Sequence, residues 1–168
     1  MDKKSEKPKL VVFDLDYTLW PFWIDTHYDA PFTKISNTDV KDCHGRQVPY
    51  YQAVPRVLQN LKRDGIMVGV ASRTSCTSEA RELIQCFEWD QYFDYVQIYP
   101  GGKTKHLTQI KEDSGIEFHD MIFFDDEHRN IRDVSKLGVT SFFVQDGVTN
   151  EVMRCGFDNH KNGVKHNI

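Results

Sequence analysis

Residues 10–20 read LVVFDLDYTLW. The stretch begins with an unbroken apolar run, residues 10–13, which is followed by two aspartates two positions apart. The apolar run is typical of a strand buried on both faces, because a strand with one exposed face alternates apolar and polar residues. In extended backbone Asp14 and Asp16 point to one side and Leu15 to the other. Two carboxylates this close disfavour each other's ionisation unless a cation lies between them. The stretch predicts a buried strand that ends in a metal-binding pair or, as the alternative, in a helix cap with a spare aspartate.

The same unit, an apolar run followed by a polar turn and a helical pattern, recurs along the chain. Further strands are predicted at 66–71, 95–99, 121–124 and 139–144, and helical patterns at 54–61, 80–87, 103–114 and 131–137. Ser78 is predicted to cap the second of these helices. Near-continuous apolar strands that alternate with helices are typical of a parallel sheet covered on both faces. The predicted fold class is therefore α/β, with a doubly wound parallel sheet.

One segment, from Pro21 to about residue 52, does not fit the alternation. It is rich in proline, aspartate, histidine and aromatic residues and has no clear period. We expect a small flap or hairpin over the strand ends, since the segment is too short for a large cap domain. The expected organisation is a single domain over 1–168, with a core at about 8–147 and a C-terminal helix and polar tail at about 148–168. The tail from Asp158 onward is expected to fray.

Composition argues against several classes of protein. The chain has 168 residues and a formal net charge of -4, whereas a dedicated nucleic-acid binder normally carries a basic surface. No apolar run approaches the ~20 residues that a bilayer span needs, and the apolar stretch near the N-terminus is too short for a secretory signal. The four cysteines form no C-x-x-C pair, so we expect reduced thiols and a cytoplasmic location.

A second pair of acids follows another predicted strand. Asp125 and Asp126 end the strand at 121–124, and Asn130 lies four residues further on. Adjacent acids are harder to explain as helix caps, because only one of them can occupy the cap position. The carboxyl ends of parallel strands meet at one edge of a sheet, so both acid pairs are expected to lie together. A cluster of carboxylate oxygens suits Mg²⁺, and the sequence predicts a site for that ion.

Positive and hydroxyl groups are predicted at the same edge. Ser72 and Arg73 follow the strand at 66–71 and offer a hydroxyl, a guanidinium and backbone N–H groups just before a helix. Lys103 follows Pro-Gly-Gly before another helix; alone, it would more often be an exposed surface lysine. Together with a metal ion, these groups are suited to binding a phosphoryl group.

The order of these motifs resembles that of the haloacid-dehalogenase superfamily of phosphatases. An Asp-x-Asp-x-Thr motif follows the first strand, a serine follows the next, and a lysine and an Asp-Asp pair come later. Residues 13–23, 71–75, 99–101 and 123–127 resemble the eukaryotic magnesium-dependent phosphatase one family, and the resemblance runs from about residue 8 to 147. It implies a Rossmann-like core and Mg²⁺-dependent hydrolysis of phosphate monoesters.

The resemblance also implies roles for the acids. Asp14 would be the nucleophile that forms an aspartyl-phosphate, and Asp16 would act as general acid and then as general base. Mg²⁺ would be bound by the Asp14 carboxylate, the backbone carbonyl of Asp16 and Asp126. Asp125 would occupy the position next to Asp126 as a further candidate ligand, and Asn130 would act on the ion indirectly. A general acid must hold its proton near neutral pH, so Asp16 is predicted to have a raised pKa in the complex with the substrate.

The implied substrates are a phosphorylated small molecule or an exposed phosphorylated protein side chain. Ser72 and Lys103 would hold the phosphoryl oxygens, while Arg73 and Trp23 would face the substrate. The resemblance implies activity on phosphotyrosine and on sugar phosphates, including fructosamine 6-phosphates on proteins, and the sequence does not choose between them. The aromatic residues at 20, 22, 23 and 28 could stack on such a substrate or pack under the flap.

Two other functions are compatible with a doubly wound sheet that carries acids and a lysine. One is a receiver-like signalling module that accepts phosphate on an aspartate without turnover. The other is a degraded enzyme that serves as a binding scaffold. Asp16 distinguishes the first, because a hydrolase needs a general acid and a slow phospho-acceptor does not. The presence of every expected catalytic side chain argues against the second.

Overall fold

The computed structural model describes residues 6–168. The strands are β1 (Leu10–Phe13), β2 (Thr33–Lys34), β3 (Val40–Lys41), β4 (Met67–Ser72), β5 (Tyr95–Ile98), β6 (Met121–Asp125) and β7 (Thr140–Phe143). The helices are α1 (Val54–Arg63), α2 (Thr77–Cys86), α3 (Lys103–Ser114), α4 (His128–Ser135) and α5 (Asn150–Lys161), with a 3-10 turn at Phe118–Asp120. Within residues 6–168, no helix combines the length and the apolar character that a membrane crossing requires.

The main sheet is parallel throughout, with the strand order β5-β4-β1-β6-β7 over the described part of the chain. β1 lies in the centre, where Phe13 pairs with Val70 on one side and with Phe124 on the other. The chain moves outward from β1 to β4 and β5 and then returns to β6 on the opposite side of β1. This reversal creates a crevice at the carboxyl ends of β1 and β6, the place where open α/β sheets bind ligands. The predicted fold class is confirmed.

Helices cover both faces of the sheet, as its apolar strands require. Val11 and Phe13 of β1 pack with α1, α2 and α5, whereas Leu10 and Val12 pack with α3 and α4. All four of these β1 side chains are fully buried. The central strand therefore carries a continuous apolar run because neither of its faces meets water.

The insertion after β1 forms a hairpin that is docked on one flank of the sheet. β2 and β3 pair antiparallel. The backbone N–H of Phe32 donates to Glu82 Oε1 of α2 at 2.7 Å, and Lys34 Nζ lies 2.6 Å from Glu88 Oε1, just beyond that helix. The prediction of a hairpin is confirmed. The hairpin strands are held on the α2 side, and it is the first turn of the insertion that reaches the crevice.

Two local predictions are wrong. Ser78 does not cap α2, because the helix begins at Thr77 after Cys76, and the Ser78 hydroxyl donates to Glu79 within the first turn. The tail does not fray at Asp158, since α5 continues to Lys161 and the chain then runs beside β7. There the Ser141 N–H donates to Lys165 O at 2.8 Å. β7 is an edge strand, and the tail provides acceptors for backbone N–H groups that would otherwise lack a strand partner.

Candidate active site

A cavity of about 460 Å³ opens at the carboxyl ends of β1, β4 and β6. Loops that follow different strands meet there, which places residues far apart in sequence around one space. Its lining consists of Asp14, Asp16, Trp23, Asp25, Thr26, Ser72, Arg73, Thr74, Pro100, Gly101, Lys103, Asp126, Glu127, Arg129 and Asn130. The residues to which the sequence assigned a role in catalysis, metal binding or phosphate binding all lie on this lining except Asp125, which is fully buried behind it.

Lys103 connects the two acid pairs. Its Nζ donates to Asp14 Oδ1 at 2.9 Å, to Asp125 Oδ2 at 2.8 Å and to the backbone oxygen of Ala71 at 2.8 Å. Burial opposes the charge, but the carboxylates of Asp125 and Asp14 outweigh it and raise the pKa of Lys103 above its usual range. The side chain is 1% exposed, so the alternative of a surface lysine is excluded.

A tight turn after β1 holds Asp14 in place. The Asp14 N–H donates to Phe124 O at 3.0 Å, which continues the pairing of β1 with β6 beyond the strand end. Thr18 comes back over the turn, and its hydroxyl donates to Asp14 Oδ2 at 3.1 Å. Tyr17 makes this reversal with a φ of 58°, a left-handed conformation that non-glycine residues rarely adopt. Both carboxyl oxygens of Asp14 therefore have fixed partners.

Asp16 occupies a different electrostatic environment from Asp14. The pKa of Asp16 is raised to about 7, mainly by burial; the hydrogen bond from Trp20 lowers it, and the charge of Asp14 adds to the rise. The indole Nε1 of Trp20 donates to Asp16 Oδ1 at 2.7 Å, and the N–H of Ile24 donates to the same oxygen at 3.2 Å. The pKa is shifted in the direction that a general acid needs near neutral pH.

The adjacent acids Asp125 and Asp126 have distinct surroundings. Asp125 Oδ1 accepts from the N–H of Glu127 at 2.9 Å, and its Oδ2 accepts from Lys103 and, at 3.0 Å, from Asn130 Nδ2. Both oxygens of Asp125 are thus engaged by donors. Asp126 faces the cavity instead. Asn130 directs its amide N–H₂ toward Asp125, so it supports that carboxylate as a donor.

The arrangement of acids fits a hard divalent cation. Among the described residues, those that could share one ion are Asp14, Asp125 and Asp126, whose oxygens lie within 4.8 Å of one another. The pKa of Asp126 is raised to about 9 by burial first, and then by the charge of Asp14 and the hydrogen bond between the two carboxyl groups. A cation would remove this repulsion. Asp14 and Asp126 lie on the cavity lining, whereas Asp125 is fully buried behind it, so Asp14 and Asp126 are the carboxylates suited to hold Mg²⁺.

Hydrogen bonds connect the loops after β4 and β5 beneath Ser72 and Lys103, the residues predicted to bind the phosphoryl group. Ser72 Oγ accepts from the Thr74 N–H at 3.3 Å, which shapes the loop that also carries Arg73. His106 of α3 is fully buried, and its Nε2 lies 2.9 Å from Ser72 O and 2.8 Å from Tyr99 O. These contacts hold the two loops beside Lys103, one helical turn away.

The aromatic residues of the insertion divide into two groups. Trp20 and Phe22 are buried and stacked at 5.3 Å, so they belong to the core. Trp23 is 51% exposed and lies on the cavity wall, with its ring 5.5 Å from His27 and 5.4 Å from Tyr17. Trp23 is therefore the member of the group that a ligand in the cavity can contact.

Several cavity residues were not found by sequence reasoning. Asp25, Thr26, Glu127 and Arg129 line the rim, and His106 supports the floor. The rim residues lie in polar stretches with no period to distinguish them. His106 had one usable signal, because it lies three residues after Lys103 and such residues share a helix face.

Comparison with known proteins identifies relatives over most of the chain. Residues 6–163 match the family described as Acid Phosphatase. The human protein named Magnesium-dependent phosphatase 1 is 49% identical over 90% of this chain and 86% of its own length. A protein from Schizosaccharomyces pombe named as a member of the HAD-like hydrolase superfamily is 41% identical over 83% of this chain and 87% of its own length.

A solved structure supports the fold assignment. The cobalt-bound deoxy-D-mannose-octulosonate 8-phosphate phosphatase from Haemophilus influenzae superposes with a TM-score of 0.59. It covers 98% of this chain and 79% of its own, at 19% sequence identity. At that identity the likeness concerns the fold alone: the sheet and its helices are shared with this phosphatase.

We predict that Asp126→Asn raises the stability of the metal-free protein and abolishes its stabilisation by Mg²⁺. The pKa of Asp126 is raised to about 9. The folded state therefore binds the proton more tightly than the unfolded chain, and stability falls as pH rises from about 4 toward 9. At pH 7.5 the folded protein must take up a proton at Asp126 that the unfolded chain does not carry, and asparagine removes this cost. Tm should therefore rise by a few degrees, since ~1 kcal/mol shifts Tm by roughly 2–4 °C in a domain of this size.

Thermal unfolding with and without Mg²⁺ checks this prediction. Glu127→Gln is the matched control, because it removes the same charge from the adjacent, exposed residue. The control is expected to keep the rise in Tm that Mg²⁺ produces in the unaltered protein. An Asp126→Asn variant that gains as much from Mg²⁺ as the control would contradict the assignment of this carboxylate.

Proposed function

The chain belongs to the acid phosphatase family, and we propose that it hydrolyses phosphate monoesters with Mg²⁺ through an aspartyl-phosphate on Asp14. The observation that carries the proposal is the position of Asp14. One of its oxygens is bonded to the buried Lys103, and the side chain lies beside Asp126 and on the cavity wall. A fixed carboxylate next to a cation site is what phosphoryl transfer to a nucleophile requires.

Asp14 and Asp126 would hold the Mg²⁺ ion, with the backbone carbonyl of Asp16 as a further ligand by resemblance to the family. When bound, the ion neutralises negative charge on the phosphoryl group. Lys103 and Thr18 orient the Asp14 carboxylate through bonds of 2.9 and 3.1 Å. Such orientation places the attacking oxygen before the substrate arrives and lowers the entropic part of the barrier.

The reaction then has two steps. In the first, an oxygen of Asp14 forms a bond to phosphorus, the bond from phosphorus to the leaving oxygen breaks, and Asp16 gives its proton to that oxygen. In the second, Asp16 takes a proton from water, whose oxygen forms a bond to phosphorus as the bond to Asp14 breaks. The products are the alcohol or phenol and inorganic phosphate, and Asp14 returns to its carboxylate form.

Ser72 and Arg73 are proposed to contact the phosphoryl oxygens or the nearby part of the substrate. Lys103 is proposed to join them, and since its three N–H groups donate to Asp14, Asp125 and Ala71 O, it would exchange one of these bonds for the phosphoryl oxygen. Ser72 and Lys103 are buried at the floor of the cavity, while Arg73 is half-buried on its wall. The half-exposed ring of Trp23 would contact the part of the substrate beyond the phosphoryl group. We propose phosphotyrosine in proteins or sugar phosphates such as fructosamine 6-phosphates as substrates, because both offer a flat or apolar face to this ring.

Asp16 favours turnover over a receiver-like module. Its raised pKa and its place on the cavity wall suit a group that exchanges a proton with a leaving oxygen. We also infer a cytoplasmic location, where the free thiols of Cys43, Cys76, Cys86 and Cys155 stay reduced.

The first test is hydrolysis of an aryl phosphate by the unaltered protein and by Asp14→Asn, each with Mg²⁺ and with chelator. Turnover is expected to need both Mg²⁺ and the Asp14 carboxylate, and loss of this nucleophile should lower kcat by at least ~10³-fold. Asp25→Asn, a change at an acid on the rim of the same cavity, serves as the control for loss of charge. Activity that survives in Asp14→Asn would refute the proposed nucleophile.

The pH dependence of kcat/KM tests the role of Asp16. The pKa of Asp16 is raised to about 7. Asp16 must carry its proton in the free enzyme, so kcat/KM for an alkyl phosphate should fall as pH rises through the pKa of Asp16. A bound cation favours the carboxylate form and lowers this pKa, so the fall is expected between about pH 5 and 7. Asp16→Asn should retain a low activity that lacks this limb. Measuring both proteins with one substrate removes the substrate's own titration, and an identical limb in both would assign it to another group.

Trp23→Ala tests the proposed contact with the substrate. We expect KM to rise roughly 2- to 12-fold for aryl or glycated phosphates, the range that corresponds to an aromatic pair, and to change little for a small alkyl phosphate. Trp23→Phe should recover most of the loss, since it restores an aromatic face. Equal changes in KM for both groups of substrate would remove Trp23 from substrate selection.

A further inference from the structure

We propose that Trp20 is a positioning residue for Asp16. The indole N–H of Trp20 fixes one carboxyl oxygen of Asp16, so that the other oxygen exchanges the proton with the substrate. The inference rests on the proposed function, in which Asp16 is the general acid. It adds a residue of the buried aromatic core to the reaction, although this side chain is absent from the cavity lining.

The hydrogen bonds of Asp16 distinguish its two oxygens. Trp20 Nε1 donates to Oδ1 at 2.7 Å, and the backbone N–H of Ile24 donates to the same oxygen at 3.2 Å. A carboxyl oxygen has two lone pairs, and both on Oδ1 face donors. A proton on Oδ1 would meet these N–H groups, so the proton is placed on Oδ2. Asp16 lines the cavity, and Oδ2 is the oxygen outside these bonds.

The indole of Trp20 is held independently of Asp16. Its side chain is fully buried, and its ring stacks on Phe22 at 5.3 Å and on Trp89 at 6.1 Å, with interplanar angles of 5° and 17°. The backbone oxygen of Trp20 accepts from the Tyr17 N–H at 2.7 Å, which ties it to the turn that carries Asp16. The donor therefore has one orientation, and the carboxyl group must adapt to it.

A fixed orientation matters because proton transfer depends on distance and angle. A general acid that rotates freely presents its proton to the leaving oxygen for only part of the time, and pre-organisation removes this cost. A merely structural role for Trp20 would consist of packing and a satisfied N–H. The two roles differ in one respect: a positioning residue affects the substrates that need a proton, and a structural one affects all substrates alike.

The test compares leaving groups. An alkyl phosphate releases an alkoxide that must be protonated, whereas 4-nitrophenyl phosphate releases a phenolate that departs without a proton. Trp20→Phe should lower kcat/KM for the alkyl phosphate by ~10-fold and leave that for 4-nitrophenyl phosphate within ~2-fold, since general acid catalysis as a whole supplies ~10²–10⁴-fold. Trp89→Phe, a change to the indole stacked on Trp20, should affect both substrates equally. A uniform loss in Trp20→Phe would overturn the proposal.

The same comparison in an Asp16→Asn background separates the two levels of inference. If Asp16→Asn does not lose more activity on the alkyl phosphate than on 4-nitrophenyl phosphate, the assignment of Asp16 as the general acid is wrong. If it is selective, Trp20→Phe should add no further selectivity to it, because the acid through which Trp20 acts is gone. A second, independent loss of selectivity in the double variant would overturn the role of Trp20 alone.

Trp20→Phe also removes buried volume, and thermal melting shows whether each variant is folded at the assay temperature. Where Trp20→Phe is unfolded, benzothienylalanine at position 20 keeps the shape of the ring and replaces the N–H by sulfur. The same selective loss is expected from this replacement. Unchanged activity on the alkyl phosphate would show that the indole N–H has no role.

Discussion

The charge of Lys103 is the constraint on which the rest of the site depends. A buried ammonium group bonded to Asp14, Asp125 and Ala71 O joins the ends of β1, β6 and β4 at one point. Removing one partner from such a group leaves an uncompensated buried charge, which is strongly destabilising. The lysine and the two carboxylates are therefore required together. The positive charge of Lys103 offsets the repulsion between the Asp14 and Asp125 carboxylates, which allows both acids to lie at the same edge of the sheet.

The surroundings of the remaining acids divide the chemistry among them. Asp125 has donors on both oxygens and serves as the partner that keeps Lys103 in place. Asp126 lacks such compensation beside Asp14, and its pKa, raised to about 9 by burial and by that neighbour, reflects the need for a cation. Asp16 keeps its proton to about pH 7 because it is buried. Four aspartates on two turns thus differ in their surroundings, and the role proposed for each follows from its partners.

The sequence predicted what depends on local pattern. The apolar runs predicted the strands of the parallel sheet, and the polar residues after them predicted which side chains meet at its edge. It could not predict the state of Lys103, whose partner Asp14 lies 89 positions away. Nor could it separate Trp20 from Trp23, because burial of one ring and exposure of the other depend on how the insertion packs. The order of the tail depends on its contact with β7, which no local pattern shows, whereas the predicted cap at Ser78 failed locally because α2 begins at Thr77.

The central claim is that Asp14 accepts the phosphoryl group, and trapping the intermediate tests it most directly. The protein would be mixed with Mg²⁺ and an aryl phosphate, quenched during turnover, and reduced with borohydride, which converts an aspartyl-phosphate to homoserine. Mass spectrometry of the peptides then locates the change. The account predicts homoserine at position 14, dependent on substrate and on Mg²⁺. Turnover with homoserine at another aspartate, or with none, would contradict it.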